Sequence, residues 1–165
     1  MKRILAVFLM VVMSFFAIPV MAISEKQEAA IVDRCEEIRE DLKTVQKDDA
    51  RARVHLGGRY ETILTKFIVP LNVRLVENSL SNAELVENQN QFAETKTIFA
   101  NDYVGYQQDL EELVAMDCKK EPGAFYEKLV KVRQKRKTVE QDTLKLRSLI
   151  SKQVKLVTSV RSKVQ

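Results

Sequence analysis

Apolar residues recur along this chain in alternating steps of four and three residues. Because an α-helix completes one turn in about 3.6 residues, this spacing collects the apolar side chains on one face of a helix. In the first stretch the repeating positions are Ile31, Cys35, Ile38, Leu42, Val45, Asp49, Ala52 and Leu56. Such a repeat is typical of helices that pack lengthwise against each other, as in a coiled coil. The chain is therefore expected to form long, packed helices.

Two interruptions divide this pattern. The stretch "ENSLSNAELVE" predicts a turn and a helix start, because Ser81 and Glu84 have the spacing of a capping box. The stretch "KKEPGAF" ends the second helix, and Pro122 suits the first turn of a third. The chain holds only four glycines and three prolines, too few for a turn-rich β protein. We expect an all-α fold, an elongated antiparallel three-helix bundle that resembles a coiled coil.

The expected helices span about residues 25–76, 82–118 and 123–164. We expect the first of them to be kinked near Gly57 and Gly58, where two glycines interrupt the pattern, and again at Pro70. Proline bends a helix because it lacks the backbone N–H that a helix interior needs.

The N-terminal sequence "MKRILAVFLMVVMSFFAIPVMA" has the three parts of a secretory signal peptide. Lys2 and Arg3 form the positive region, an apolar run follows, and Ala22 supplies the small residue at the cleavage site. We expect residues 1–22 to be removed and a single helical domain, residues 23–165, to work outside the cytoplasm. The alternative is an uncleaved N-terminal membrane anchor, since the apolar run is about long enough to span a bilayer.

The chain has two cysteines, Cys35 and Cys118. With a turn near Ser79, Cys35 lies 44 residues before the turn and Cys118 lies 39 residues after it. The difference of five residues corresponds to about 7.5 Å along a helix axis, which a kink can absorb. We therefore expect a disulfide between them at the far end of an antiparallel hairpin, in keeping with an oxidising compartment.

Other roles for the cysteines find little support in the sequence. A metal site would need paired cysteine spacing or histidine companions, and a catalytic thiol would need a base. The single histidine, His55, lies twenty residues from Cys35, about 30 Å along a helix. The sequence contains no phosphate-binding glycine loop and no nucleophile motif. We expect no enzyme activity, no catalytic residue, no metal, no cofactor and no small-molecule substrate.

Two charged residues fall where the pattern predicts apolar ones. Asp49 and Arg136 occupy positions on the apolar face, and the expected hairpin brings them level with Tyr103 or Tyr106. A buried charge is costly unless it is paired. We therefore expect Asp49, Arg136 and Tyr103 to form a buried polar layer that fixes the register of the helices.

Charge is unevenly distributed along the chain. Residues 23–118 carry 11 basic and 19 acidic side chains, whereas residues 119–165 carry 14 basic and 4 acidic ones. One interpretation is that the acidic first two helices match the basic last helix within the bundle. The other is an anionic partner that binds the cluster Lys131, Arg133, Lys135, Arg136 and Lys137. Outside the cytoplasm that partner would be a lipid surface, an envelope polymer or an acidic protein, with nucleic acid a weaker candidate.

The stretch "DARARVHLGGRYETILTKFIVPLNVRLVEN", with "LEELVAMDCK" and "FYEKLVK" downstream, resembles a family of uncharacterised small secreted helical proteins of reduced-genome candidate-phylum bacteria. No function is attached to that family, so the resemblance implies none. In general build, a small basic exported helical protein is also similar to the periplasmic chaperones of outer-membrane proteins. This chain lacks the β-strand-forming ends that the trimer body of those chaperones needs.

These observations together predict a non-catalytic, secreted or envelope-associated helical protein that acts by binding a protein or an anionic envelope surface. One alternative is an extracytoplasmic chaperone that holds unfolded exported proteins. Another is a binder of an anionic envelope polymer or lipid surface through the basic C-terminal helix.

Overall fold

The computed structural model describes residues 23–80 and 83–164. The predicted signal peptide, residues 1–22, and Ser81 of the predicted capping box lie outside the described residues. Within the described part the chain is all-α and contains four helices and no strand. The second of these helices is long and kinked, and it has three consecutive parts. The elements are α1 (Glu25–Asp33), the long helix made of α2 (Cys35–Thr62), a π-helical segment (Ile63–Ile68) and α3 (Val69–Glu77), then α4 (Ala83–Ala115) and α5 (Pro122–Val164).

The first helix is shorter than predicted. It starts in a capping box, in which the Ser24 hydroxyl accepts the N–H of Gln27 at 3.3 Å and the Gln27 side-chain oxygen accepts the N–H of Ser24 at 3.0 Å. The helix is then interrupted at Arg34, so the prediction of one continuous helix from residue 25 is wrong at this residue. The interruption allows α1 to pack on the start of α5. The two helices are close there, since a Cβ atom added to Gly123 of α5 would lie 3.3 Å from a carboxylate oxygen of Glu28 in α1.

The irregular part of the long kinked helix lies next to the proline, whereas the helix is continuous at the glycine pair. α2 runs unbroken through Gly57 and Gly58, so the interruption expected there is absent. The irregular part is the π-helical segment just before Pro70, which ends with the N–H of Val69 bonded to the carbonyl of Leu64, five residues back. Because Pro70 has no N–H and its ring would clash with the carbonyl four residues earlier, a locally widened helix relieves the conflict.

A tight turn ends α3. Ser79 has a φ of 55°, in the left-handed region that costs residues with a Cβ about 1–2 kcal/mol. The turn is closed by a hydrogen bond from the N–H of Leu80 to the carbonyl of Leu75 at 2.8 Å.

α4 lies between the long kinked helix and α5 and contacts both of them. Near the start of α4, Nδ2 of Asn72 donates to the carbonyl of Leu85 at 3.1 Å. Just beyond the end of α4, Cys118 is joined to Cys35. The two helices are therefore antiparallel.

α5 runs back along the other flank of α4. Lys128, near the start of α5, pairs with Asp109 late in α4, and Gln153, near the end of α5, accepts a hydrogen bond from Asn88 early in α4. Since both flanking helices are antiparallel to α4, the long kinked helix and α5 run in the same direction.

Aromatic rings fill the interface between α2 and α4. Successive pairs of rings contact edge to face, with centroids 5.4–6.3 Å apart, a geometry that aromatic pairs prefer. The rings belong to Tyr60, Phe92, Phe99, Tyr103 and Tyr106. All five are buried, so they set the level at which α2 meets α4.

The predicted disulfide is present. Cys35, the first residue of α2, and Cys118, in the loop after α4, are bonded with their Cα atoms 5.7 Å apart. Both side chains are buried within the main apolar core. The cross-link closes the end of the bundle opposite to the turn at Ser79, as the comparison of helix levels predicted.

Candidate functional site

Four polar residues from three helices meet at one level of the bundle. The Tyr106 hydroxyl donates to Oδ2 of Asp49 at 2.6 Å, and Nε of Arg136 lies 3.1 Å from the same oxygen. The Tyr103 hydroxyl donates to the backbone carbonyl of Asp49 at 2.8 Å. The residues predicted to form a polar layer thus lie together, with Tyr106 added. The layer is buried only in part, because Tyr103 and Tyr106 are buried whereas the Arg136 side chain is 58% exposed.

This environment shifts the pKa values of the two tyrosines and of Arg136. Burial raises the pKa of Tyr106, and its hydrogen bond to the Asp49 carboxylate raises the pKa further. Burial and the charge of Asp49 also raise the pKa of Tyr103. Burial opposes the charge of Arg136, but the nearby Asp49 carboxylate raises its pKa overall. Both phenols are therefore hydrogen-bond donors at neutral pH, and the guanidinium is charged.

Asp109 on α4 neutralises part of the predicted basic patch. Its carboxylate lies 2.8 Å from Nζ of Lys128, 2.6 Å from Nζ of Lys135 and 3.4 Å from Nζ of Lys131. The side chain is only 8% exposed. Burial works to raise the pKa of Asp109, but the hydrogen bonds from Lys128 and Lys135 outweigh it and hold this pKa well below its usual range. The sequence pattern did not single out Asp109.

The five residues of the predicted patch therefore differ in how much charge they present to solvent. Lys131 and Lys135 face Asp109, and Arg136 faces Asp49. Arg133 and Lys137 are exposed, and neither lies within ion-pair distance of a carboxylate in the described part of the chain. Matching between helices, the first interpretation of the charge segregation, accounts for three of the five side chains.

Unpaired positive charge continues along the second half of α5. The chain has no acidic residue after Asp142. Five basic side chains there are exposed and form no ion pair with any carboxylate of the described residues. They are Lys145, Arg147, Lys152, Lys155 and Arg161. Most of the uncompensated charge of α5 therefore lies beyond the patch that the sequence suggested.

Two grooves lie between the long kinked helix and α5. The first, the polar groove, has a volume of about 640 Å³ and is lined by Asp49 and Leu56 of α2 and by Arg133, Arg136 and Lys137 of α5, among others. Its floor includes the two tyrosines of α4. The two unpaired cations of the patch thus face the same recess.

The second groove, the apolar groove, has a volume of about 360 Å³. One wall comes from the π-helical segment and α3, and the other from the second half of α5. Its main lining residues are Ile63, Phe67, Leu71, Ile150, Val154 and Val157. Phe67 and Val154 are 64% and 61% exposed, although both carry large apolar side chains.

A buried network of amides joins all three long helices beside the apolar groove. Asn72 of α3 donates to Oε1 of Gln89 on α4 at 2.9 Å, and Gln153 of α5 donates to Oδ1 of Asn72 at 3.2 Å. Asn88 donates to Oε1 of Gln153 at 2.8 Å. Gln89 and Gln153 are polar residues at positions of the apolar repeat, so the sequence pattern marked both of them as exceptions. Nothing in the sequence pattern marked Asn72 or Asn88.

The structure also bears on catalytic, metal and membrane roles. His55 is exposed on α2. Among the described residues, no three His, Cys, Asp or Glu side chains are grouped so that they could hold a metal ion. In the same part of the chain, none of the helices combines the length and apolar character needed to span a bilayer.

Comparison of the chain with protein-family models, with curated proteins and with solved structures found no match.

Proposed function

We propose that this protein is a non-catalytic, secreted or envelope-associated helical protein that binds an anionic partner along α5. The observation that carries the proposal is a run of seven exposed cations without a carboxylate partner among the described residues. They are Arg133, Lys137, Lys145, Arg147, Lys152, Lys155 and Arg161. Charges that are already paired within a protein contribute little to a partner, whereas unpaired ones attract it.

The shape of the bundle supports an extended contact with such a partner. We propose that the molecule is an elongated antiparallel three-helix rod, similar to a coiled coil and cross-linked at one end. α5 has 43 residues, which is about 65 Å at about 1.5 Å per residue. The seven cations lie between residues 133 and 161, about 42 Å of helix, a length that suits a lipid surface or an envelope polymer better than a small ion.

The test measures binding of the chain, as recovered from its expression host, to vesicles and to a soluble polyanion. We expect binding to vesicles that contain phosphatidylglycerol and to polyglutamate, weakening as salt is added, and no binding to pure phosphatidylcholine vesicles. Replacing Arg133 and Lys137 with glutamine should weaken vesicle binding about 30-fold, since each basic residue near an anionic surface contributes about 1 kcal/mol.

A matched control removes two cations that already have partners on their own helix. Lys43 pairs with Glu40 at 2.6 Å, and Arg51 lies 3.6 Å from Asp48. Replacing Lys43 and Arg51 with glutamine changes the net charge by the same amount and should change binding much less. Equal losses in the two double variants, or equal binding to neutral vesicles, would show that the unpaired cations of α5 are not the binding element.

A second candidate function is a chaperone that holds unfolded exported proteins. The exposed apolar side chains favour it, since Val54 is 71% exposed in addition to Phe67 and Val154. Light scattering separates the two functions. A chaperone of this kind should suppress the aggregation of an unfolded client and should form oligomers, whereas a binder of anionic surfaces should remain monomeric and leave the aggregation unchanged.

A further inference from the structure

The apolar groove has the size and lining of a small ligand site. Its volume of about 360 Å³ lies at the lower end of the range of roughly 300–1,000 Å³ that ligand sites occupy. Its walls run from Ile63 to Leu71 and from Ile150 to Thr158, which is about 12 Å along the helix axes. The lining of the groove is almost entirely aliphatic and aromatic, with Gln153 and Thr158 as the polar exceptions.

The floor of the groove is held in place by the amide network. Gln153 lines the groove and is only 6% exposed. Its amide donates to Asn72 of α3 and accepts from Asn88 of α4. Hydrogen bonds that join three helices resist a relative shift of those helices. The groove is thus preformed, so a ligand does not have to open it.

The two stretches of chain that form the walls of the groove contain basic residues and no acidic residue. Neither residues 62–76 nor residues 143–165, the two stretches that include its walls, contain an aspartate or glutamate. Arg147 and Arg161 lie seven residues before and seven residues after Val154, so they share its face of α5. Both are exposed and have no ion-pair partner among the described carboxylates. The guanidinium groups of Arg147 and Arg161 thus lie beyond the two ends of the apolar groove.

We infer that the apolar groove binds the acyl chain of a monomeric single-chain anionic amphiphile, such as a fatty acid, with the head group at Arg147 or Arg161. The inference rests on the proposed attraction of α5 for anionic partners and adds a monomeric ligand to the extended surface proposed above. A second copy of this chain is a poorer occupant, because it would bring the same acid-free, cationic stretches of α5 into contact with each other.

The first experiment is calorimetric titration with octanoate, decanoate and laurate at concentrations below micelle formation. Each pair of methylenes added to the acyl chain should tighten binding by up to about fifteenfold until the apolar groove is filled. Dodecyl maltoside, with the chain of laurate but a neutral head, should bind at least about fivefold more weakly than laurate. Methyl resonances of Val154 and Val157 should shift on titration, whereas those of Val54, outside the groove, should not.

Matched variants locate the site. Val154→Asp places a carboxylate in the apolar groove and should weaken laurate binding on the order of tenfold or more. Val130→Asp makes the same change on the same helix at a side chain that is 47% exposed and outside the groove, and it should bind laurate as the parent chain does. Replacing Arg147 and Arg161 with glutamine should weaken laurate binding and leave binding of dodecyl maltoside unchanged. Circular dichroism checks that each variant is folded.

Several results would overturn the inference. One is the absence of laurate binding, and another is an equal loss in Val154→Asp and Val130→Asp. A third is a concentration-dependent dimer that Val154→Asp abolishes, because a second copy would then occupy the groove. If laurate fails to bind while phosphatidylglycerol vesicles still do, only this inference fails. If laurate, vesicles and polyglutamate all fail to bind, the proposed function fails with it.

Discussion

Replacing both cysteines with alanine should lower stability by an amount that the structure allows us to calculate. The disulfide joins residues 83 positions apart. In the chain-entropy model, removing a cross-link of that span costs about 4.6 kcal/mol, because the unfolded chain gains the freedom that the closed loop denied it. For a domain of about 140 residues, 1 kcal/mol corresponds to a change in Tm of about 3 °C, so we expect Tm to fall by about 15 °C. Alanine is the suitable replacement, because serine would bury a hydroxyl at two sites that are almost inaccessible.

The assay is urea unfolding of the Cys35→Ala/Cys118→Ala variant beside the parent chain, with thermal unfolding as a second measurement. The variant should show a lower free energy of unfolding and a steeper dependence on urea, since its unfolded state is less compact. The control is Val132→Ala, which removes buried apolar volume but no cross-link. It should lower stability without changing the urea dependence.

Two results would refute this reasoning. A loss below about 1 kcal/mol would mean that restriction of the unfolded chain is not the source of the stabilisation. An unchanged urea dependence in the double variant, together with a large loss of stability, would place the effect in the packing of the folded state. In that case the double variant and Val132→Ala would behave alike.

Three further predictions concern the charged residues and the turn. Asp109→Asn should cost about 2 kcal/mol at neutral pH. Because the folded-state pKa of Asp109 is lowered, its contribution is complete above the ordinary aspartate value of 3.8 and is lost as the pH falls through the lower folded value. Urea titrations at several pH values should therefore converge for parent and variant in acid, and a gap that persists there would contradict the assignment. A double-mutant cycle with Asp49→Asn and Arg136→Gln should give a coupling of about 0.5 kcal/mol, since the pair is partly exposed to solvent; no measurable coupling would mean that the pair does not contribute to stability. Ser79→Gly should raise the free energy of unfolding by about 1 kcal/mol by removing the cost of the left-handed backbone, and a lower urea midpoint would show that the serine side chain stabilises the turn.

Much of the helical organisation follows from local sequence. The spacing of apolar residues predicted the helices, and Pro70 marked the kink, because both effects act within a few turns of one helix. Counting residues from the turn was sufficient to pair Cys35 with Cys118, since the rise per residue of a helix is nearly constant. The same counting placed Asp49 level with Arg136. Distances along a helix axis can thus be predicted from the sequence alone.

Positions around the helix axes and between the helices required the tertiary structure. The break at Arg34 depends on how α1 meets α5, and the exposure of Arg136 depends on how far α2 and α5 lie apart. The neutralisation of Lys131 and Lys135 by Asp109 likewise depends on the rotation of α4 against α5. No repeat in the sequence encodes these quantities, because each results from the simultaneous packing of side chains from several helices.

The candidate site illustrates the same division. The sequence by itself determined that α5 is strongly basic and that residues 143–165 carry no acid, since composition does not depend on folding. Only the tertiary structure decided which cations remain unpaired, and that α5 and the long kinked helix lie far enough apart to leave an apolar groove. The reason is physical: charge belongs to a residue, whereas a groove and an ion pair belong to the space between helices.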